Sequence, residues 1–190
     1  MTFSDGLVGQ SAGQLPWAQG AGHVVPNKAA APGLVYDIQP IDYTRYLCSI
    51  ALPSIPQSTC TAVGKISDVN LNLPSITLAN VLGKTTVTRT VTHVGTGTAT
   101  YTASSSIPGF TSDVVPSTLT LAPGQSASFT ATVTRTNAAI NTWSFGSLKW
   151  TDGSTVVSVP VSAKGTGLAA ATALYSESVK GNILYTIGTG

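Results

Sequence analysis

Charge is what this chain most lacks. Lys and Arg number 9 and Asp and Glu 7 in 190 residues, 8% of the chain, where about a quarter is usual. The net charge of +2 is carried by no run of Lys or Arg, which excludes an electrostatic footprint for nucleic acid. Glu177 is the only glutamate, and long helices normally use more of it. No stretch reaches the ~18 apolar residues of a membrane-spanning helix. Met1 to Gln14 has neither the basic nor the apolar region of a signal peptide; an exported protein of this sequence has lost its leader. Cysteine is nearly absent too. Cys48 and Cys60, without histidines nearby, cannot complete the four ligands of a zinc site. No glycine-rich phosphate loop opens a helix, so neither a metal nor a cofactor is expected.

What is present is 42% hydrophobic residues, enough for a core at this length. The polar surface must come from Thr, Ser, Asn and Gln, and threonine suits a pleated, half-wet face. From about Ile76 the apolar residues alternate. Ala99, Tyr101 and Ala103 interleave with threonines, as do Phe129, Ala131 and Val133, and Val157, Val159, Val161 and Ala163 interleave with Ser158, Pro160 and Ser162. Half-buried strands read this way. Breaks at Gly83, Gly95 to Gly97, Pro108-Gly109, Pro116, Pro123-Gly124, Asn137 to Asn141 and Asp152-Gly153 separate seven or eight short strands, the pattern of an antiparallel β-sandwich. Asp152-Gly153 marks a hairpin. Pro160 belongs on an edge or at a bulge. Arg89 shares a face with Val87 and Val91, which predicts a strand only partly covered.

Before the strands, residues 1–38 are rich in Gly and Pro and read as irregular structure that packs on something else. Tyr43, Tyr46, Leu47 and Ile50 form one apolar stripe at helical spacing, with Pro40 in the first turn and Pro53 and Pro56 beyond the end. Residues 166–190 read as the start of a further β module, cut short.

Few residues invite a chemical role. Gly9-Gln10-Ser11-Ala12-Gly13 matches the G-x-S-x-G pattern, but no strand precedes it and no helix can follow it through Pro16, Gly20 and Gly22. A small-residue turn is the expectation, and esterase chemistry at Ser11 requires His23 within hydrogen-bonding reach. His93 reads as a satisfied or exposed strand histidine, and His23 as a hydrogen-bonding histidine in a glycine-flanked turn. Trp143 and Trp150 read as core; Trp17 is either packing or a stacking surface for sugar. Cys48 and Cys60 are either a disulfide closing a Pro-rich loop or two buried thiols.

Several motifs, in one order, resemble a known family. Gly20-Ala21-Gly22-His23-Val24 with Pro26, and then Pro32-Gly33-Leu34-Val35-Tyr36-Asp37, resemble the segment closing the catalytic domain of plant-type and bacterial subtilisin-like serine proteases. Asp42-Tyr43 through Cys48 is similar to the helix that follows. Leu71-Asn72-Leu73-Pro74-Ser75 resembles the lead into the family's fibronectin-III-like domain, and Thr88-Arg89-Thr90-Val91-Thr92 with Val94-Gly95 one of its strands and turns. Gly146-Ser147-Leu148-Lys149-Trp150 follows in sequence. Ala31 stands where the family has aspartate.

The resemblance implies a non-catalytic C-terminal fragment of a secreted endopeptidase. Residues 1–38 would be the last strip of its catalytic domain and 39–70 a helix and linker. Residues 71–165 would be a fibronectin-III-like sandwich supporting folding, stability or substrate access. It implies export, hence a Cys48–Cys60 disulfide, and a catalytic domain in cis as partner. Gly20, Gly22, His23, Pro26, Pro32, Gly33, Tyr36 and Asp37 would be structural motif residues. The triad and the oxyanion asparagine would lie upstream, so no catalytic residue is carried over. The alternative is a free-standing extracellular adhesion or carbohydrate-binding sandwich.

Overall fold

The computed structural model describes residues 17–18, 20–169 and 188–189. Ser11 and its neighbours lie outside them. Eight strands follow one another from residue 76: β2 (Ile76–Val81), β3 (Lys84–His93), β4 (Ala99–Ser106), β5 (Phe110–Val115), β6 (Thr118–Leu121), β7 (Ser126–Arg135), β8 (Trp143–Thr151) and β9 (Val156–Gly165). A ninth, β1 (Leu34–Val35), precedes them. They form two sheets in the orders β1-β3-β7-β5 and β2-β9-β8-β4-β6. Every pairing within the two sheets is antiparallel except that of β2 with β9. This is a β-sandwich, as the alternation predicts.

The alternating residues place the core between the sheets. Val87 and Val91 of β3, Phe129, Ala131 and Val133 of β7, Leu148 and Trp150 of β8, and Val159, Val161 and Ala163 of β9 are buried. The Phe129 and Trp150 rings meet at 5.1 Å in an edge-on contact at the centre, the geometry aromatic pairs favour. On the opposite faces hydroxyls pair across strands: Thr86 with Thr132, Thr90 with Ser128, Thr92 with Ser126 and Thr100 with Thr120. Those ladders take the place of the missing charges.

Three expectations need correction. Leu34 and Val35 pair with His93 and Thr92, and Leu34 belongs to the core, so the sandwich recruits a strand from inside the segment drawn as 1–38. β3 is not partly covered: Arg89 is only 4% exposed. Pro160 lies neither at a sheet edge nor at a register shift, since β9 runs between β2 and β8. The β2 pairing begins only at Ile76↔Val161, so at Pro160 the β2 side is open and a proline is tolerated. The 152–155 turn joins β8 to β9 as a hairpin, with Asp152 Oδ1 accepting from the Ser154 and Thr155 amides.

The linker is helical. α1 (Pro26–Ala29) is a single exposed turn; α2 (Pro40–Ser49) and α3 (Gln57–Val63) form a pair. Pro40 occupies the first turn of α2, and Gln39 and Asp42 make a reciprocal capping box. The face that packs differs from the one expected. Tyr43 and Ile50 stay exposed while Cys48 is buried, and Arg45 Nε donates to the Val63 carbonyl of α3. Strands β10 (Leu168–Ala169) and β11 (Gly188–Thr189) pair with each other; the residues between them lie outside the described ones.

Candidate docking interface at the N-terminal junction

The motif residues from Pro32 to Asp37 converge on β3. Gly33 has φ +77°, and a Cβ there would stand 2.9 Å from Tyr101 Oη. Only glycine fits both the left-handed backbone and the close approach. Its carbonyl accepts from the Val94 amide and lies 3.1 Å from His93 Nδ1. His93 is buried. Its Nε2 lies 2.7 Å from the Gly97 carbonyl oxygen, and its Nδ1, beside the Gly33 carbonyl, also lies 3.1 Å from the Tyr101 hydroxyl. Both ring nitrogens are thus committed to holding the junction, as the structural reading of His93 expected. Gly95 lets the ring in, since a Cβ there would lie 2.6 Å from His93 Cε1.

Four residues before His93 on β3, Arg89 ties down the linker. Its guanidinium donates to the carbonyls of Val69, Leu73, Ser75 and Thr88 at 2.7–3.1 Å. Burial lowers its pKa, and the neighbouring Tyr36 opposes that shift. Tyr36 itself is pushed well above the usual tyrosine range by burial, with Arg89 pulling the other way, and its hydroxyl has no hydrogen-bond partner. Asn72 uses its amide as a stand-in strand: Oδ1 accepts from the Thr90 amide while Nδ2 donates to the carbonyls of Thr90 and Asp37. Asn70 Oδ1 takes the Thr88 amide. Side chains therefore cover the edge of β3 that the two-residue β1 leaves open. Sequence reasoning missed the roles of Arg89, Asn70 and Asn72. The signal was a charged residue at an inward-facing strand position, which requires acceptors delivered from elsewhere.

The remaining motif residues face outward. Gly20, His23 and Pro26 are exposed, Gly22 half-buried, and Val24 and Val25 are 71% and 50% exposed. His23, Val24 and Val25 border a groove of about 660 Å³ between residues 21–34 and the 154–158 strand start, lined also by Lys28, Val156 and Val157. Cys48 and Cys60 are bonded, joining α2 to α3. Trp150 is core, but Trp143 is half-buried on the outer face of its sheet, with Lys164 Nζ 5.3 Å from its ring centre. Trp17 meets Trp143 and Phe145 edge-on at 5.0 and 5.4 Å. Rings set at 82° and 81° make a notch rather than a flat stacking surface for sugar. Among the described residues no group of three His, Cys, Asp or Glu side chains is placed to hold a metal.

Comparison with known proteins fits these motifs. Residues 70–163 match the fibronectin type-III domain model. Subtilisin-like protease SBT3.13 of Arabidopsis thaliana is 40% identical over 160 residues, covering 80% of this chain and 21% of that protein. The chain corresponds to the C-terminal, fibronectin type-III-bearing region of subtilisin-like proteases. Subtilisin-like protease SBT3.2 of the same plant is 42% identical over 158 residues, 78% of this chain and 21% of the relative. Subtilisin-like protease Glyma18g48580 of Glycine max is 39% identical over 160 residues, 78% of this chain and 20% of the relative. The chain thus spans about a fifth of the relatives it matches. Arg89 and Asn72 thus bond residues 69–75 to β3, and Asn72 also holds the Asp37 carbonyl, just after β1.

Proposed function

We propose that this chain is the non-catalytic C-terminal part of a secreted subtilisin-like serine endopeptidase, whose fibronectin type-III domain supports the folding and stability of a catalytic domain and shapes access to it. The junction carries this reading. Within the Pro32–Asp37 segment, Leu34–Val35 is a strand of the sandwich, and Gly33, His93, Tyr101 and Asn72 hold the segment in place. A domain leading into that strand is held in a fixed orientation, and fixed orientation is what a supporting or gating domain requires. The Cys48–Cys60 bond fits an oxidising compartment.

The test replaces the matching C-terminal region of Arabidopsis SBT3.13 with this chain. The chimera is expected to be secreted and to hydrolyse casein, whereas the enzyme ended before the sandwich is not recovered in active form. A truncated enzyme as active and heat-stable as the chimera overturns the reading. The free chain is expected to leave casein and p-nitrophenyl esters intact and to resist a fluorophosphonate serine probe. Stoichiometric labelling at Ser11 would contradict the non-catalytic assignment.

A further inference from the structure

We propose that the outer face of the β2-β9-β8-β4-β6 sheet, centred on Lys149, binds an acidic polysaccharide, a chain of uronic-acid units. The five strands of that sheet carry Lys149 and Lys164 and no acidic residue. The nearest carboxylate in sequence, Asp152, is turned back onto the Ser154 and Thr155 amides. Register places Ser104 of β4 and Ser158 of β9 on either side of Lys149, and sets Ser106 opposite Ser147 on the next outward rung. Ser104, Ser106, Lys149 and Ser158 are exposed and Ser147 half-buried.

The hydroxyls distinguish this face from the other one. Across β3 and β7 they bond each other, Thr86 to Thr132, Thr90 to Ser128 and Thr92 to Ser126. On the Lys149 face only Thr100 and Thr120 do so. Ser106 and Ser147 stand opposite each other without bonding, and the side chains of Ser104, Ser158 and Ser162 make no hydrogen bond among the described residues. Nor does Lys149 have a carboxylate partner there. Free hydroxyls therefore surround an unpaired cation. A single ammonium is a point charge without the arginine fork that phosphate and sulfate groups favour, and it suits a singly charged carboxylate. Free serines suit a ligand that brings hydroxyls of its own. These rungs offer no aromatic or aliphatic anchor, which a protein partner would need. Lys164, over the Trp143 ring at the far end of β8, stands about 20 Å along the strand from Lys149 at the usual rise per residue. An extended chain laid along β8 reaches both cations.

Affinity electrophoresis of the full chain at low salt, read against a polymer-free gel, tests this. Polygalacturonate is expected to retard the chain. Its methyl ester, which keeps the sugars and loses the charge, is not. Polyglutamate, which has carboxylates and no hydroxyls, is expected to retard it far less. Lys149→Gln and Lys164→Gln should each weaken polygalacturonate binding about two- to fivefold, the scale of an exposed ion pair, and Lys149→Arg should not. Ser104→Ala with Ser158→Ala should weaken binding of polygalacturonate but not of polyglutamate. Lys84→Gln, on the outer face of the other sheet, removes the same charge and should change nothing. Urea unfolding of the Lys149 variants should match the parent, because that side chain is exposed. Equal retardation by polyglutamate, or equal losses from Lys84→Gln and Lys149→Gln, would reduce the interaction to net charge and overturn the proposal. So would binding of the methyl ester, or no retardation by polygalacturonate. Each of these outcomes leaves the protease-fragment reading standing, since that reading is tested on the chimera.

Discussion

Replacing Arg89 with alanine removes four hydrogen bonds from a side chain that is 4% exposed. Three of the acceptors, the carbonyls of Val69, Leu73 and Ser75, lie in the segment between the helical pair and β2. Each part-buried carbonyl left without a donor costs up to about 1–3 kcal/mol. Relief of the guanidinium's desolvation and water entering the vacated space offset part of that. The net loss is expected at about 3–5 kcal/mol, the lower half of the sum over those three carbonyls. That is a large share of the ~5–15 kcal/mol that holds a domain together. Arg89→Met keeps the aliphatic stem but donates nothing, so a similar loss would assign the cost to the carbonyls rather than to packing. Arg89→Lys should fall between, since one ammonium cannot span four acceptors. Urea unfolding followed by Trp150 fluorescence measures the stability, and hydrogen exchange of residues 66–75 reports whether the linker detaches. A loss below 1 kcal/mol for both Ala and Met, with those amides still protected, would refute the role given to Arg89.

Gly33→Ala should destabilise the chain by about 1–3 kcal/mol through its positive φ and its approach to Tyr101. Tyr101→Phe in the same chain should recover part of that by removing the hydroxyl it meets, which a double-mutant cycle in urea would measure. Unreduced, denatured protein should show no free thiol by Ellman titration; Cys48→Ser with Cys60→Ser should cost up to ~3 kcal/mol by loop entropy, felt in exchange of α2 and α3 more than in the sandwich. Backbone hydrogen bonds from Thr155 and Ser154 hold the Asp152 carboxyl below its ordinary 3.8. Its stabilisation of the hairpin turn is therefore present above the unfolded pKa and lost as pH falls through the folded one; Asp152→Asn should flatten the acid limb of a pH–stability curve below about pH 4. Limited proteolysis of the free chain should cut first within residues 20–31 and leave a fragment beginning near Pro32, since Leu34 is core; an early cut within 84–163 would contradict the architecture.

The sequence by itself determined the sandwich. A period of two over Ala99 to Ala103, Phe129 to Val133 and Val157 to Ala163 can bury one face of a strand and nothing else, and the glycine and proline breaks leave few ways to connect such strands. His93 as a structural residue and the hairpin at Asp152-Gly153 were legible for the same reason: local chemistry decided them. The α2 start at Pro40 was local as well.

What only tertiary structure decided is which apolar or charged residue finds a partner far along the chain. Arg89 looked like a gap in the cover of β3, because its four acceptors include carbonyls 14 to 20 residues away. Leu34 looked like part of a segment awaiting another domain, because nothing in its neighbourhood reveals that β3 has an open edge beside His93 and Thr92. The helical stripe of Tyr43 and Ile50 pointed to the wrong face, since the Cys48–Cys60 bond and the Arg45–Val63 contact fix how α2 lies on α3. Trp143 shared a strand with Trp150, but seven residues apart they fall on opposite faces of the pleat. Periodicity sorts residues into faces. Which face meets another part of the chain depends on the order in which strands assemble, a long-range property that no local window contains.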